Sequence, residues 1–374
     1  MYDDFKLLVD GKCAFDEIIS CINNANKTIK INMFIWRDDE IGNLIGKHLL
    51  DAANRGVKIY ISIDRFGYVL EKAEEYKKSF FHRELSFLEK IKVRIIELGY
   101  PELGIKDKQV KDDSKLANTL INHDNVLVSK NIVKKDHSKY YVFDDEILIL
   151  GGINIEEKER SNDLSGRIYH DYMVKLTGKK YIDVFNEKYN CGINTNDEFF
   201  FGINYKSKNK KIFEMKKMYL DVINNSQKSL YIIMPYFSPI KEILNALSDA
   251  ASRGVDIHIM VPKAANLQNT TNYATMRKLM KKTNNKVKVY FSPKMTHAKL
   301  IMSENVITFG STNINTTSFN SLQELNLFVK NVECDFVNDI NTAIIDNFSI
   351  ADRVNTFKDL KYSKFIKFIE SFIS

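Results

Sequence analysis

His137-Ser-Lys-Tyr-Tyr-Val-Phe-Asp144, followed by Gly151-Gly152-Ile153-Asn154, is the stretch that says most about the fold and chemistry of this chain. A second copy lies downstream, as His297-Ala-Lys-Leu-Ile-Met-Ser-Glu304 followed by Gly310-Ser311-Thr312-Asn313. Both copies read H-x-K-x4-D/E, then a small-residue turn, then Asn. Two such patterns at nearly the same offsets are improbable by chance, so the sequence indicates an internal duplication. We expect the rest of the chain to bring the two copies face to face.

The segments around these motifs repeat as well. "AANRGVKIYIS" at 52–62 and "AASRGVDIHIM" at 250–260 align without gaps. Apolar periodicity predicts the same order of helices and strands around each copy. Asp38 or Asp39 is the expected N-cap of the helix at 41–53. This order is typical of an α/β fold with a largely parallel sheet. The predicted elements are helices at 14–27, 41–53 and 240–251 and strands at 28–36, 57–64, 229–234 and 255–261.

The duplication predicts two halves joined by a short junction. We place the N-terminal half at 1–195, a Lys/Asn-rich junction at 196–211 and the C-terminal half at 212–374. The N-terminal half is longer between its second strand and its motif. We assign the extra residues to an insertion at about 101–136, which is either a substrate lid or a disordered surface loop.

Patterns outside the repeat predict four more elements. Residues 171–178 read as an edge-like strand that stops at Gly, 263–286 as mostly helical and 325–330 as another strand. The tail, 356–374, carries apolar residues at helical spacing among lysines. It is either an interfacial helix on an anionic membrane or a terminal helix that caps the core.

Composition gives weaker constraints. The chain has 374 residues, a net charge of +7 and a pI near 8.9. This charge suits nucleic acid, phosphate esters or an acidic membrane surface, but also a solvated Lys-rich surface. The four cysteines form no C-x-x-C pair, so we expect reduced, cytosolic thiols. The acidic N-terminus does not look like a signal peptide, and no stretch is apolar enough for a membrane span. We therefore expect any membrane contact to be peripheral.

The motif side chains suit phosphate chemistry. Alternation along a strand places His137 with Lys139, and His297 with Lys299, on one side of each strand. Two histidines, two lysines and two asparagines at one point would form a receptacle for a tetrahedral oxyanion, with lysine acting as a point charge. The two asparagines are Asn154 and Asn313, which follow Gly-containing turns.

A histidine pair can divide the reaction. One imidazole attacks phosphorus, and the other protonates the leaving alcohol and later activates the acceptor. We expect a phosphohistidine intermediate and no metal or cofactor, because the lysines supply positive charge. Asp171 and Glu324 are candidates for the carboxylates that orient the histidines. Asp144 and Glu304, inside the motifs, are expected to be structural.

One further residue is a candidate for substrate contact. Tyr236 follows Pro235 just after a predicted strand, at a position where the duplicated fold would line the site.

Together these residues resemble a known family. The H-x-K-x4-D/E motifs with Asn154 and Asn313 look like the paired signatures of the phospholipase D superfamily, and "INMFIWRDDEIGNLIGKHLLDAANRGVKIYISIDRFG", "HDYMVKLTG" and "FGSTNINTTSFNSLQELNLFV" resemble bacterial cardiolipin synthases. The resemblance covers about Asp10 to Asn347. It implies transfer of a phosphatidyl group between alcohols, with His137 as nucleophile and His297 as general acid/base. Pseudo-symmetry also allows the reverse assignment.

Three features depart from that family's pattern. Glu304 stands where Asp is usual, and Gly152 stands where many relatives have a hydroxyl residue, which leaves Ser311 as the only such donor. The N-terminal membrane spans of many cardiolipin synthases are not seen, so the chain resembles the shorter type.

The fold we predict is a duplicated phospholipase D-like α/β fold, with two mixed, parallel-rich sheets flanked by helices. Its halves are expected to pack with pseudo-twofold symmetry around one active site. The predicted function is a phosphatidyltransferase of the cardiolipin synthase type, acting on phosphatidylglycerol at the cytoplasmic face of the cell membrane. The alternatives are a phospholipase or nuclease that hydrolyses phospholipid or nucleic acid, and a non-catalytic binding protein. The expected partner is an anionic phospholipid, nucleic acid is less favoured, and the sequence leaves the oligomeric state open.

Overall fold

The computed structural model describes residues 2–73, 78–99, 114–129, 135–161, 166–192, 194, 196 and 198–370. The chain divides into two compact units. The N-terminal unit is Asp4–Asp183, and the C-terminal unit is Met1–Asp3 with Val184–Ser374. The boundary therefore falls inside a helix, Lys179–Cys191, and not at the predicted junction.

The N-terminal unit is a mixed sheet with helices. Its strands are β1 (Phe5–Val9), β2 (Thr28–Met33), β3 (Lys58–Ile63), β4 (Val126–Ser129), β5 (Lys139–Phe143), β6 (Ile147–Gly151), β7 (Tyr169–His170) and β8 (Tyr172–Thr177). Its helices are α1 (Asp10–Asn24), α2 (Glu40–Asn54), α3 (Arg65–Ala73), α4 (Phe87–Gly99), α5 (Lys115–Ile121), α6 (Glu157–Arg160) and the boundary helix α7 (Lys179–Cys191). Within the described residues, seven strands form one sheet in the order β1-β8-β6-β5-β2-β3-β4.

The C-terminal unit is built in the same way. Its strands are β9 (Phe199–Lys206), β10 (Lys211–Phe213), β11 (Ser229–Ile233), β12 (Asp256–Pro262), β13 (Lys288–Ser292), β14 (Met295–Thr296), β15 (Leu300–Ser303), β16 (Val306–Gly310), β17 (Glu324–Lys330) and β18 (Asp352–Arg353). Its helices are α8 (Met215–Asn225), α9 (Lys241–Arg253), α10 (Asn269–Lys282), α11 (Thr316–Asn320), α12 (Asp335–Ser349) and α13 (Lys364–Glu370). Its sheet order over the described ranges is β10-β9-β17-β16-β15-β11-β12-β13-β18.

The two sheets share one topology. In the N-terminal unit β2, β3 and β4 pair in parallel. On the other side β2 pairs with β5, and β5, β6, β8 and β1 follow in that order, each antiparallel to its neighbour. In the C-terminal unit β11, β12 and β13 pair in parallel. On the other side β11 pairs with β15, and β15, β16, β17 and β9 follow in that order, each antiparallel to its neighbour. Each unit buries its own apolar core. The predicted duplicated α/β fold is therefore confirmed.

The repeated Arg-Gly pair has the same structural role in both copies of the helix-to-strand turn. The guanidinium of Arg55 donates to the carbonyl oxygens of Ile22 and Asn23 at 3.0 Å, which satisfies the open end of α1. Arg253 makes the same bonds at the end of α8. The glycine that follows each arginine has a left-handed φ, +95° at Gly56 and +93° at Gly254, which other residues rarely adopt.

The predicted N-cap is also confirmed for one of its two candidates. The carboxylate of Asp39 accepts from the amide of Gly42 at 2.9 Å at the start of α2. The other candidate, Asp38, instead accepts from the side chain of Asn43.

The predicted insertion at 101–136 is wrong for its described part. Residues 115–121 form α5, and 126–129 form β4, which pairs in parallel with β3 at the end of the sheet. Ala117, Leu120 and Val126 belong to the core, so this segment is neither a lid nor a surface loop. The extra length of this half lies between β3 and β4. Residues 101–113 and 130–134 lie outside the described part of the chain.

Two other predictions are wrong because sheet pairing was not visible in the sequence. Residues 171–178 were expected to be edge-like, but β8 is hydrogen-bonded on both sides, by β1 and β6. The expected junction at 196–211 contains β9, which pairs with both β10 and β17.

The tail forms one short helix in its described part. In α13 the carboxylate of Glu370 accepts from the backbone amides of Thr270 and Thr271 at the start of α10. This contact supports the capping alternative, while Phe365 and Phe368 on the same helix stay exposed. Across the described residues, we find no helix with the length and apolar character needed to cross a membrane.

Candidate active site

The first motif lies at the start of β5. His137 is buried just before the strand, and Lys139, its first residue, is fully buried at 0% exposure. The ammonium of Lys139 donates to the carbonyl oxygen of His137 at 2.6 Å. Phe34 joins the pair, because its ring lies 4.6 Å from the imidazole, edge to face, and 5.0 Å from the ammonium. Phe34 therefore contacts both the imidazole and the ammonium of this motif.

The second motif repeats this arrangement before β15. His297 is buried, and Lys299 has 1% exposure. The ammonium of Lys299 donates to the carbonyl oxygen of His297. The ring of Tyr236 lies 6.3 Å from the imidazole, edge to face, and its hydroxyl donates to Asn266 Oδ1 at 2.7 Å. Tyr236 thus adjoins the second motif, as its position in the sequence suggested, and Asn266 is a neighbour that the sequence did not indicate.

The two motif asparagines occupy matching turns. Asn154 and Asn313 are both buried, and each backbone carbonyl accepts from the amide two residues later, at 3.1 and 3.0 Å. Within the described residues, neither Oδ1 atom has a hydrogen-bond partner. A buried amide oxygen without a partner is costly, and such groups often mark places where a ligand or water completes the site.

The carboxylates predicted to orient the histidines occupy equivalent positions. Gly151 pairs with Met173 and Gly310 with Asn326, so Asp171 and Glu324 correspond, each two residues before the strand partner of that glycine. Both carboxylates are buried. Their role in orienting a histidine stays a proposal.

The surroundings of these two carboxylates differ in one informative way. A Cβ added at Gly152 would lie 2.3 Å from Oδ2 of Asp171, whereas Ser311, at the equivalent place, donates its hydroxyl to Glu324 at 2.5 Å. The departure at Gly152 therefore has a physical reason, since the shorter Asp171 fills the space that a side chain at 152 would need.

The acidic residues that end the motifs serve the backbone. The carboxylate of Asp144 accepts from the amides of Asn26, Lys27 and Thr28, each at 2.8 Å, and so fixes the turn before β2. Glu304 does the same before β11, accepting from Gln227 at 2.6 Å. Both lie at the end of their strand away from the histidine. Burial alone would raise the pKa of Asp144, but these amide donors outweigh it and hold that pKa below its ordinary value.

We expect Asp144→Ala to lower the free energy of unfolding by about 1–2 kcal/mol, because three amides lose a charged acceptor. The pKa of Asp144 is lower in the folded state than the ordinary 3.8. The stabilisation is therefore complete above that value and disappears as the pH falls through the folded-state pKa. Urea unfolding should show a deficit at neutral pH that shrinks in acid.

Asp145→Ala is the matched control for this change. Asp145 shares the left-handed backbone, with φ of 56° against 54° for Asp144, but its carboxylate forms an exposed ion pair with Lys30. We expect it to cost less than about 0.5 kcal/mol. Equal losses in both variants would assign the effect to the backbone and contradict the role of the carboxylate.

Sequence reasoning missed a buried carboxylate that supports the first motif. Asp64, directly after β3, accepts from the amide of Asp136 at 2.8 Å, one residue before His137. It also accepts from Phe66 and Gly67, at 2.7 and 2.8 Å. Burial raises the pKa of Asp64 to about 7, against the amide donors that lower it. The signal was available, because polar residues at the carboxyl ends of parallel strands often line sites.

A buried ionic cluster supports the turn after Asn154, and it too was missed. Arg37 contacts Glu156 at 2.9 Å, and Lys158 contacts the same carboxylate at 3.1 Å. The guanidinium of Arg37 also donates to the backbone oxygen of Glu71 at 2.8 Å. Sequence spacing does not reveal this cluster, because its members come from three separate elements.

In the described ranges, we find no group of three or more His, Cys, Asp or Glu side chains arranged to hold a metal ion.

The family model described as "Cardiolipin synthase, PLD-like domain" matches residues 18–190 and 219–348, about four fifths of the chain. The chain belongs to this family. Membership makes the protein an enzyme of the phospholipase D superfamily, with phosphatidyltransferase or phosphodiesterase chemistry.

Relatives of this cardiolipin synthase family align over nearly the whole chain. Cardiolipin synthase from Staphylococcus aureus strain Mu50 is 24% identical, covering 98% of this chain and 72% of its own length. Cardiolipin synthase from Clostridium perfringens strain 13 is 26% identical, covering 88% of this chain and 67% of its own. These relatives support a phosphatidyltransferase of phospholipid biosynthesis.

Solved structures agree with the fold. Phosphatidylserine synthase from Haemophilus influenzae Rd KW20 superposes with a TM-score of 0.70 at 13% identity, covering 100% of this chain and 93% of its own. Polyphosphate kinase from Porphyromonas gingivalis gives a TM-score of 0.56 at 11% identity, covering 99% of this chain and 52% of its own. At these identities the likeness concerns the fold alone.

Proposed function

We propose that this family member is a cardiolipin synthase that transfers a phosphatidyl group from one phosphatidylglycerol to another. The observation that carries the proposal is the pair of fully buried lysines, Lys139 and Lys299, each bonded to the backbone of its motif histidine. A buried ammonium loses the solvation of water and favours an anion beside it. A phosphodiester supplies that anion, and the names of the relatives indicate which one.

In the proposed reaction His137 is the nucleophile. Its imidazole attacks phosphorus of the first phosphatidylglycerol, a P–N bond forms, and the P–O bond to glycerol breaks. His297 gives its proton to the departing glycerol oxygen. It then takes the proton of a hydroxyl on the second phosphatidylglycerol, whose oxygen attacks phosphorus and releases His137. The products are cardiolipin and glycerol.

The other motif residues have supporting roles in this proposal. Lys139 and Lys299 would balance the charge on the phosphoryl oxygens, and the side-chain amides of Asn154 and Asn313 would donate hydrogen bonds to them. Asp171 and Glu324 are proposed to orient the imidazoles, and Tyr236 to contact substrate beside His297. We place the reaction at the cytoplasmic membrane face, where an anionic lipid substrate and a net charge of +7 are compatible.

The reaction can be tested by incubating the purified chain with phosphatidylglycerol vesicles and resolving the lipids by mass spectrometry. Cardiolipin and glycerol in equal amounts are the expected products. Phosphatidic acid without cardiolipin would indicate hydrolysis. Cleavage of DNA with no lipid turnover would replace the proposal by the nuclease alternative.

The matched control for this assay is His48→Asn. His48 lies on α2, where its Nδ1 contacts Asn23 at 2.8 Å, away from the motifs in the sequence. We expect it to retain wild-type turnover, whereas loss of activity in this variant would indicate general damage to the fold.

A further inference from the structure

Helix α4 (Phe87–Gly99) is attached to the N-terminal unit along one side. Its own residues Val93 and Ile96 are buried on that side. Near its start, Glu89 contacts the guanidinium groups of Arg65 at 2.8 Å and Arg83 at 3.2 Å. The helix is therefore fixed in orientation, and its opposite side is presented in a defined direction.

That opposite side is apolar. Phe87 and Leu88 are 76% and 69% exposed, and Ile91 and Ile95 are exposed as well. At about 100° per residue, these four side chains cover an arc of about 100° on one face. Single apolar residues scattered over a surface are normal, but four large ones in a continuous row indicate an interaction surface.

Cations border this row on both sides. Lys90 and Arg94 lie along one edge at helical spacing, and Lys92 lies along the other, all three exposed. The acidic residue of the first turn, Glu89, faces Arg65 and Arg83 and is not part of this border.

We propose that α4 docks the protein on an anionic phospholipid bilayer, with its apolar row in the headgroup and acyl boundary and its cations at the phosphates. An apolar face bordered by Lys and Arg is the pattern of helices that lie in the membrane interface. Each cation near an anionic surface adds attraction that falls off within a Debye length. The net charge of +7 acts in the same direction.

A second copy of the chain fits this face less well. In a twofold contact α4 would meet itself, and its bordering cations would approach the same cations of the other copy. A bilayer with negative headgroups removes that repulsion. The connection that carries α4 lies between β3 and β4, and the matching connection in the C-terminal unit holds α10 instead, so the surface belongs to one unit only.

Vesicle co-sedimentation of the full chain tests this proposal without requiring turnover. We expect binding to phosphatidylcholine vesicles that contain phosphatidylglycerol, and little binding to phosphatidylcholine alone. Phe87→Ser with Ile91→Ser should weaken binding by about tenfold or more, and so should Lys90→Glu with Arg94→Glu. Raised salt should weaken the wild type and the serine variant, but not the charge-reversed one.

The tail helix provides a matched control. Phe365 and Phe368 on α13 are 72% and 63% exposed, so Phe365→Ser with Phe368→Ser removes a comparable apolar pair elsewhere. This variant should bind vesicles as the wild type does. Binding lost in the tail variant but retained in both α4 variants would overturn the proposal. So would wild-type self-association that disappears with Phe87→Ser and Ile91→Ser while no vesicles are bound.

The α4 variants also separate docking from chemistry. Turnover of phosphatidylglycerol in vesicles should fall with binding, while turnover of the same lipid dispersed in detergent should stay near the wild-type rate. If the proposed transfer reaction is wrong, both turnover measurements fail in the wild type and the binding result still stands.

Discussion

We expect His137→Asn to abolish turnover and to leave no covalent phosphoenzyme, whereas His297→Asn should accumulate one from a substrate whose leaving group departs without a proton. Asparagine fills part of the imidazole volume but cannot attack phosphorus or transfer a proton. Without a nucleophile, the P–N bond of the proposed intermediate cannot form. Without the general acid/base, each proton transfer is lost, and the overall rate should fall by about 10²–10⁴-fold.

The substrate can be chosen so that the two variants give different signals. A phosphatidyl ester of p-nitrophenol has a leaving group that departs without a proton. His297→Asn should therefore release one equivalent of p-nitrophenolate rapidly and then stop, because the second step still needs a base. His137→Asn should show no burst. A radiolabelled phosphoryl group should remain on the protein in His297→Asn and not in His137→Asn.

The alternatives give distinct results in this assay. A burst with His137→Asn and none with His297→Asn would reverse the assignment, which the similar geometry of the two motifs allows. Absence of a burst in both variants, with intact turnover of the ester by the wild type, would exclude a covalent intermediate on either histidine. His48→Asn should retain full steady-state turnover, as in the lipid assay.

Much of the local structure could be predicted because it follows from short-range rules. Asp38 and Asp39 were the two N-cap candidates before an apolar-periodic run, and Asp39 makes the capping bond. Asp144 was expected to be structural as the acidic residue inside its motif, and its three amide bonds agree with that role. The repeat at Arg55-Gly56 and Arg253-Gly254 indicated two copies of one unit, which the matching sheet orders confirm.

The errors concern interactions between residues that are distant in sequence. Residues 115–129 looked polar enough for a loop, because α5 and β4 lie at one end of the sheet and bury only part of their side chains. Strand β8 looked like an edge because short-range alternation does not show that β1 pairs on its far side. Neither result could be read from propensity, since both depend on which strand lies alongside.

In the candidate site, too, the residues within a short sequence pattern were found and those that come from distant segments were missed. The histidines, lysines and asparagines were found because they recur in a duplicated motif. Phe34 and Asp64 were missed because each follows a different strand, and the sheet brings both near His137. The ring of Phe34 lies 4.6 Å from the imidazole of His137. The carboxylate of Asp64 accepts from the amide of Asp136, the residue before His137.

Gly152→Ala should lower kcat/KM by about tenfold to a hundredfold while the protein stays folded. The new Cβ would lie 2.3 Å from Oδ2 and 2.8 Å from Cγ of Asp171, closer than carbon atoms and carboxylates approach. Asp171 is buried, and its Oδ1 accepts from the amide of Tyr172 at 2.7 Å, so the carboxylate must leave that bond or push the strand aside. Overpacking of this kind costs about 1–3 kcal/mol of stability.

The C-terminal unit supplies the comparison. Ser311→Gly removes a hydroxyl that donates to Glu324 and accepts from the amide of Leu325 at 3.0 Å, but introduces no clash. It should lower kcat/KM only severalfold, since the longer Glu324 keeps its space. A larger loss for Ser311→Gly than for Gly152→Ala would contradict the steric argument.

A double-mutant cycle decides whether the effect of Gly152→Ala passes through Asp171. If the methyl group acts by displacing that carboxylate, Gly152→Ala should cost nothing further once Asp171→Ala has removed it, because the clash is gone. The measurement is kcat/KM for the two single variants and the double variant, with unfolding free energies recorded alongside. Additive losses would mean that the glycine is required for the backbone alone. Strong non-additivity would place Asp171 in the positioning of the first motif, the role that the sequence suggested and that its contact with Gly152 makes testable.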